Sequence, residues 1–299
     1  RAIRLAIEAI EGEAGVPDLS AERSRLLRCF EAAIYSAIGP EGYPAEDIGY
    51  GTLMVARLGR LASCLRRAGL HDAYVANPRL MRFGRAMLHF VQPWGQFLSN
   101  TGDHGDDFGC RDLVLGHLAR INDDPTLTWL MLTLSYPCLD PEHRQTRIGE
   151  LARETELAPE MQVPTTAATL IALADAPRPV HPAAVMPPLP TAFMDSDRGI
   201  VSFRSGWDAQ DTFVYFDGSQ RPTSAQGHAH DSGGNFCLSA RGEYFAVAPG
   251  RYGIEQDQHN LMLVDGKSGR STDGEWRASY YHARLTEYQP GPLCDFATV

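Results

Sequence analysis

The chain has 299 residues, of which 43% are hydrophobic, and its 27 Lys and Arg against 37 Asp and Glu give a formal net charge of −10 at pH 7. This length and composition allow one large domain or two ordinary ones, each with a sizeable core. Nucleic acid is excluded as a partner because phosphate binding needs concentrated Lys and Arg, and the basic residues here are scattered. The sequence contains no apolar run of about 18 residues, which is the length that a membrane-spanning helix needs.

The first half of the chain has helical periodicity. Apolar residues recur at spacings of three and four up to about residue 174, with short Gly- or Pro-bearing connections and no repeat of fixed length. The predicted helices lie at about 20–37, 53–65, 78–92, 109–122, 125–136, 144–157 and 164–175. We therefore predict a helical domain over residues 1–174.

The second half has the period of β-strands. Prolines crowd residues 175–194, which excludes a helix interior or a central strand and predicts a linker. From residue 195 onward apolar residues alternate with polar ones between turn-forming residues. The predicted strands lie at about 199–205, 212–216, 235–239 and 243–247. The fold class predicted is α+β multidomain, with an antiparallel β-sandwich over residues 195–299.

Both ends of the sequence have the pattern of a regular element. Ile3, Ala6, Ile7 and Ile10 follow helical spacing, and residues 294–299 alternate like a strand. We therefore expect the chain to be a stretch of a longer protein. On that expectation, the absence of a signal peptide says little about where the protein is located.

Three histidines form the densest polar constellation in the sequence. His228 and His230 would point to the same face of a strand, and His259 follows about thirty residues later. Three imidazoles brought together suit a divalent metal site or an acid/base pair. A lone histidine is more often a polar residue on a solvated sheet face. A cupin also carries His-x-His on a strand, but residues 231–235 lack the Glu that it needs, and the helical first half is foreign to that fold.

Further short motifs stand in a fixed order around these histidines. They are Gly199 to Trp207, Gly227 to His230, Asn235-Phe236, Gly242 to Gly250, His259-Asn260 and Val264 to Gly266. In the helical half, Gly42 to Gly51 and Trp94 to Asp103 combine glycines with aromatic and acidic residues. In this order the motifs resemble those of the heparinase II/III family of polysaccharide lyases. The resemblance implies an incomplete (α/α) toroid followed by an antiparallel β-sandwich.

The resemblance also implies roles for particular residues. Tyr50 matches the family's catalytic tyrosine, and His228 matches its catalytic histidine. His230 and His259 match two ligands of a structural zinc. The family's third ligand is an aspartate, and Ala248 stands at that position, so another side chain or a water would have to complete the coordination.

The implied activity is β-elimination in an acidic polysaccharide that contains uronic acid. One group removes the proton on C5 of the uronate ring and another protonates the leaving O4, and Tyr and His can divide these tasks. The uronate carboxylate must also be neutralised, and the family's residue for this falls at or before Arg1. The resemblance further suggests a periplasmic or secreted protein, and a homodimer is possible.

Five further residues are predicted to contact the substrate. Tyr43 and Glu46 precede the predicted catalytic tyrosine, His104 lies in a loop rich in Asp and Gly, and Arg251 and Tyr252 follow a Pro-Gly turn. Four of them also have a structural explanation. The two tyrosines would be packing or surface residues, the histidine would belong to a helix-capping loop, and the arginine would lie at a solvated strand end.

Two other classes of function remain open from the sequence. The alanine at the position of the third zinc ligand and the missing carboxylate neutraliser also fit a carbohydrate-binding protein that keeps the scaffold without catalysis. A metal-dependent hydrolase is the second alternative. It would lose activity on chelation and give no unsaturated product.

Overall fold

The computed structural model describes most of both predicted domains. The residues described are 13, 15, 17–95, 98–99, 101–102, 111–135, 176–218, 230, 232–250, 256–266 and 283–299. Within these ranges the helices are α1 (Ser20–Ala37), α2 (Asp47–Arg67), α3 (Ala73–Ala76), α4 (Pro78–Phe90), α5 (Arg111–Asn122) and α6 (Pro125–Ser135). No helix in the described part of the chain is long and apolar enough to cross a membrane.

The strands of the described residues form two antiparallel sheets. The larger sheet has the order β1 (Ala192–Asp195), β2 (Ile200–Arg204), β3 (Phe213–Asp217), β4 (Phe236–Ala240) and β5 (Glu243–Ala246). The smaller sheet pairs β6 (Glu287–Gln289) with β7 (Phe296–Thr298). The register shifts between Leu238 and Ser239, where β4 pairs with β5.

The predicted helices form where apolar residues have helical spacing, and α4 has a capping residue as well. Along α2, Ile48, Val55, Ala62 and Leu65 form one buried stripe. Helix α4 begins at a proline, and the Asn77 side chain before it accepts a hydrogen bond from the backbone of the first turn. The helices predicted at 20–37, 78–92, 109–122 and 125–136 are confirmed to within two residues at each end. Those predicted at 144–157 and 164–175 lie outside the described residues.

The proline-rich segment of residues 175–194, predicted as a linker, makes contacts with helix α6. Val180 donates its backbone N–H to the Pro125 carbonyl at 3.1 Å, and His181 packs edge-on against Trp129 with ring centroids 4.8 Å apart. The segment therefore lies along α6. Its last residues already belong to β1, which begins at Ala192 inside the range predicted as linker.

The larger sheet has two chemically different faces. The outward-facing residues of neighbouring strands are apolar, and one of them, Phe203, stacks on Tyr288 of β6 at 5.7 Å with an interplanar angle of 10°. The face turned toward the helices carries Asp195, Ser202, Arg204, Tyr215, Asp217, Cys237 and Ser239 among its buried residues. Phe193, Ile200 and Phe213 also lie on this second face, so the helices pack on a face that combines polar and apolar side chains, while Phe203 on the apolar face contacts the small sheet.

Phe90, at the end of α4, is the centre of the packing between helices and sheet. Its ring lies 5.1 Å from that of Tyr43, 5.7 Å from Phe193 and 5.8 Å from Tyr215, measured between centroids. All four side chains are buried. One apolar cluster therefore includes residues of the loop before α2, of α4, of β1 and of β3.

Arg204 joins β2 to the end of α4. Its guanidinium donates to the carbonyls of His89 at 3.3 Å and Val91 at 2.8 Å, and it lies over the rings of Trp207 and Phe213. Burial lowers the pKa of this guanidinium to about 9. The arginine satisfies carbonyls at the C-terminus of the helix, where a positive charge is favourable.

We predict that Arg204→Met lowers the free energy of unfolding by about 1 to 3 kcal/mol, because two buried carbonyls lose their donor. Urea unfolding measures the change. Arg82→Met is the matched control, since Arg82 also donates to a carbonyl, that of Pro40 at 2.8 Å, but is half exposed. We expect the control to change stability by less than about 1 kcal/mol. Equal effects of the two substitutions would contradict a special contribution of the buried Arg204 hydrogen bonds to stability.

Candidate functional site

A tight loop between α1 and α2 leads into the predicted catalytic tyrosine. Gly39 donates its N–H to the Tyr43 carbonyl at 2.8 Å, and Ala45 donates to the Ala37 carbonyl at 2.8 Å. Gly42 has φ +96°, and a Cβ there would lie 2.5 Å from the backbone of Arg82. This close approach to α4 requires a glycine and fixes the path of the loop.

The first turn of α2 is held from two sides. The Ile48 N–H donates to Thr101 Oγ1 at 3.0 Å, and Tyr43 Oη donates to Asp47 Oδ1 at 3.2 Å. Asp47 begins the helix with φ +58°, a conformation that a non-glycine residue adopts only when its surroundings enforce it. The hydrogen bonds to Thr101 and from Tyr43 therefore fix the position of the turn that carries Tyr50.

Tyr43 is fully buried beneath this turn. Burial first, and then the Asp47 charge, raise the pKa of its phenol well above the ordinary value. The phenol therefore stays neutral and donates its proton to the carboxylate. This environment favours the packing role that the sequence also allowed for Tyr43, and its predicted contact with substrate stays a prediction.

Tyr50 and Glu46 are the partly exposed side chains of the stretch from Gly42 to Thr52. Glu46 stands immediately before α2, and Tyr50 lies in its first turn. Every other residue of this stretch is buried. The loop and the first turn thus present one phenol and one carboxylate toward solvent.

His230 and His259 come together on the sheet side. Both are buried, and His230 Nδ1 lies 3.3 Å from His259 Nε2, with the rings nearly perpendicular at 87°. Two nitrogens bound to one tetrahedral zinc at the usual bond length are separated by about 3.3 Å. The spacing therefore fits shared coordination as well as a hydrogen bond. Ala248 is buried, and the described residues contain no group of three metal-binding side chains.

Asn260 fixes the turn that carries His259. Its N–H donates to Asn235 Oδ1 at 2.9 Å, and its side-chain amide donates to the carbonyls of Phe236 and Val247, each at 3.0 Å. One side chain thus ties the turn to both β4 and the end of β5. These hydrogen bonds explain in structural terms why an asparagine follows His259.

A buried polar network that the sequence did not predict lies at the end of β3. Tyr215 Oη donates to Asp217 Oδ2 at 3.4 Å, and Ser232 Oγ donates to the same oxygen. Burial and the Asp217 charge raise the pKa of the Tyr215 phenol well above its ordinary value, and the charge of Asp47 acts in the same direction. The network therefore lies close to the start of α2. The available signal was the inward position of Tyr215 and Asp217 on one strand face.

Four predicted site residues are not placed. His228, His104, Arg251 and Tyr252 lie outside the described residues. Their roles stay predictions.

A serine hydroxyl contacts an imidazole between α2 and α5, but the hydrogen bonds of the two side chains exclude activation of the serine as a nucleophile. Ser63 Oγ contacts His117 Nε2 and donates to the Gly59 carbonyl at 2.8 Å. Arg120 donates to His117 Nδ1 at 3.1 Å, so the ring proton sits on Nε2 and is donated to the serine. An imidazole that donates to a serine cannot also take its proton.

No protein-family profile and no curated protein matches the sequence. Solved structures match its fold. Heparinase III matches with a TM-score of 0.58 at 11% identity, over 90% of this chain and 38% of that one. A mutant of the heparan sulfate lyase HepC from Pedobacter heparinus gives 0.56 at 13% identity, over 92% and 37%. The HepC enzyme without that mutation gives 0.51 at 14% identity, over 92% and 37%.

This likeness confirms the heparinase-like α+β fold predicted from the sequence, a helical toroid followed by a β-sandwich. At 11–14% identity it establishes the fold alone. The chain spans 37–38% of the length of these lyases.

We predict that the protein loses stability as the pH falls below about 6.5, because the buried His89 and the half-buried His117 are held neutral. Burial, followed by Arg204, lowers the pKa of His89 to about 3, and burial, followed by Arg120, lowers that of His117 to about 4. Below pH 6.5 the unfolded chain binds protons that the folded chain does not. The contribution is therefore complete above pH 6.5 and falls by at most about 1.4 kcal/mol per pH unit for the fully buried ring.

Urea unfolding at several pH values between 7 and 4.5 measures this loss. His89→Phe is the informative variant, since a phenyl ring preserves the stacking on Phe193 that the structure shows at 5.2 Å. Its stability should fall less steeply with pH than that of the wild type. Parallel curves would show that His89 does not carry the effect.

Proposed function

We propose that this chain forms part of a polysaccharide lyase that cleaves a uronic-acid-containing acidic polysaccharide by β-elimination. The observation that carries the proposal is the start of α2, where Tyr50 and Glu46 are presented from an otherwise buried segment next to the sheet. The fold shared with heparinase III and HepC supports a lyase scaffold. The resemblance of the motifs around Tyr50 and His228 supports the choice of reacting groups.

The elimination needs one base and one acid. The base takes the C5 proton, the electron pair left on C5 forms the C4–C5 double bond, and the C4–O4 bond breaks while the acid protonates O4. We assign Tyr50 and His228 to these two tasks. A phenol of ordinary pKa about 10 acts as a base near neutral pH only beside a positive group.

We further propose that Glu46, His104, Arg251 and Tyr252 contact the sugar chain. Arg251 supplies positive charge in a protein whose formal net charge is −10, where a polyanionic substrate needs local compensation. Tyr252 offers an aromatic face to a sugar ring. Periplasmic or secreted localisation and a homodimer stay predictions.

We propose that a zinc ion, when bound, is held by His230 and His259 and is structural. Their nitrogens have the separation that shared tetrahedral coordination requires. Zinc supplies no chemistry to the elimination in this proposal. The two imidazoles instead connect the turn of His259 to the segment before β4, and His228 stands two residues before His230 in the sequence.

A carbohydrate-binding protein without catalysis is the second candidate. Ala248 favours it, because a methyl group replaces the carboxylate expected as third ligand. Sugar binding without formation of unsaturated ends would identify this function.

We predict that the full-length protein releases products with ultraviolet-absorbing unsaturated ends from at least one polymer among alginate, heparan sulfate and related uronic-acid polysaccharides. Tyr50→Phe should lower kcat/KM at least about 100-fold, because proton transfer by a positioned group contributes at least that much. Tyr35→Phe is the control, since Tyr35 is an exposed tyrosine of α1 that contacts Arg79. Folded protein with no product from any polymer would refute the lyase function, and an active Tyr50→Phe would refute the role of Tyr50.

We predict that the protein binds about one zinc ion per chain, as a structural site would. Metal analysis after dialysis measures the content, and thermal unfolding with and without a chelator measures its effect on stability. His230→Ala and His259→Ala should both remove the zinc. His181→Ala should retain it, because His181 packs against Trp129 away from this pair. Zinc content unchanged in the first two variants would refute the ligand assignment.

A further inference from the structure

Asp195, at the end of β1, reaches across to the loop before α2. Its Oδ2 accepts hydrogen bonds from the N–H groups of Glu41 at 3.0 Å and Tyr43 at 3.3 Å, and its Oδ1 accepts one from the Arg198 N–H at 3.3 Å. The residue is fully buried. One carboxylate of the sheet therefore binds backbone groups of the helical domain and of its own β1–β2 turn.

The loop is built around this carboxylate. A Cβ on Gly39 would lie 2.3 Å from both carboxylate oxygens, so only a glycine leaves room for them. The isolated bridge between Ile38 and Pro44 closes the two sides of the loop. The carboxylate thus occupies the inside of the turn, where it meets the N–H groups that the turn leaves unpaired.

A short series of contacts leads from Asp195 to Tyr50. The carboxylate holds the backbone of Tyr43, the Tyr43 phenol donates to Asp47, and Asp47 begins the helical turn that carries Tyr50 three residues later. Each contact is buried. A displacement of the loop is therefore passed to the turn without a flexible side chain in between.

Other polar contacts of this loop region are more exposed. Arg82, half exposed, donates to the Pro40 carbonyl, and Asp197 pairs with Arg79 at 3.3 Å with the Asp197 side chain 47% exposed. Surface contacts of this kind contribute little to a fixed geometry. Among the contacts described, Asp195 provides the buried polar link between the sheet and the loop.

The cost of burying the Asp195 carboxylate is consistent with a role in fixing the conformation of the loop. The partners that the structure gives Asp195 are backbone N–H groups, and burial raises the pKa of its carboxyl despite these donors. Burying a carboxylate costs folding free energy that an apolar side chain would not. The benefit is specific, because three donors converge on a single anion and allow one arrangement of the loop.

We propose that Asp195 is a positioning residue of the lyase site, which holds the loop of residues 39–46 so that Tyr50 stands at the right place for proton transfer. The inference rests on the proposed function, since it concerns the placement of the proposed catalytic tyrosine. Asp195 acts through the loop and does not touch the substrate.

Asp195→Asn tests the proposal with little change of shape. An asparagine has one acceptor oxygen, so its amide NH₂ must face either the loop donors or the Arg198 N–H. We expect kcat to fall about 10- to 100-fold with KM changed less than about threefold, because a small displacement of a catalytic group acts on the chemical step. Asp197→Asn, in the same β1–β2 turn, is the matched control and should keep both values.

Amide hydrogen exchange of the same variants supplies a readout that needs no activity. Asp195→Asn should speed exchange in residues 39–50 and leave α4 and α6 as in the wild type. A wild type that forms no unsaturated product refutes the lyase function, and the exchange then still decides whether Asp195 holds the loop. Unchanged kcat, unchanged exchange in residues 39–50, or faster exchange throughout the protein would each overturn the positioning role.

Discussion

Buried charged side chains lie among apolar ones on the face of the sheet that turns toward the helices, and the rest of the structure depends on this. Each of these charged groups needs a partner, because an unpaired buried charge is costly. Arg204 finds the carbonyls at the end of α4, and Asp195 finds the N–H groups of the loop before α2. The two contacts define how the helices sit on the sheet more narrowly than apolar packing around Phe90 could, since dispersion forces have little directionality.

The same interface places the candidate catalytic elements side by side. Tyr43 and Asp47 form the floor beneath the start of α2, and Tyr215 and Asp217 form a similar pair at the end of β3. In both pairs burial, and then the charge of the neighbouring carboxylate, keeps the phenol neutral. Neither buried phenol is suited to act as a base. In the proposed lyase that task would belong to another tyrosine, and Tyr50, partly exposed in the first turn of α2, is such a tyrosine.

The elements that could be predicted from the sequence are those with a strong local pattern of residue spacing. Helical periodicity identified α1 and α4, but β1 was not predicted because the prolines before it outweigh four strand residues. The motif order predicted that His230 and His259 share a metal site; the two rings lie 3.3 Å apart, and their role as ligands stays a prediction. Asp195 could not be predicted, because an aspartate before a turn is an ordinary turn former in sequence. Its function depends on residues about 150 positions away, which no local pattern encodes.

The contacts between α2, α4 and the sheet also bear on how such a site works. Besides Arg204 and Asp195, Trp94 after α4 packs edge-on against Tyr244 of β5 with ring centroids 5.0 Å apart. A rotation of these helices away from the sheet would break buried hydrogen bonds, each costing about 1 to 3 kcal/mol when its partner is left unsatisfied. Such a motion is therefore unfavourable. In the proposed lyase, the groups on α2 would therefore be held in place before substrate binds, which is the condition under which fixed dipoles stabilise a developing charge most effectively.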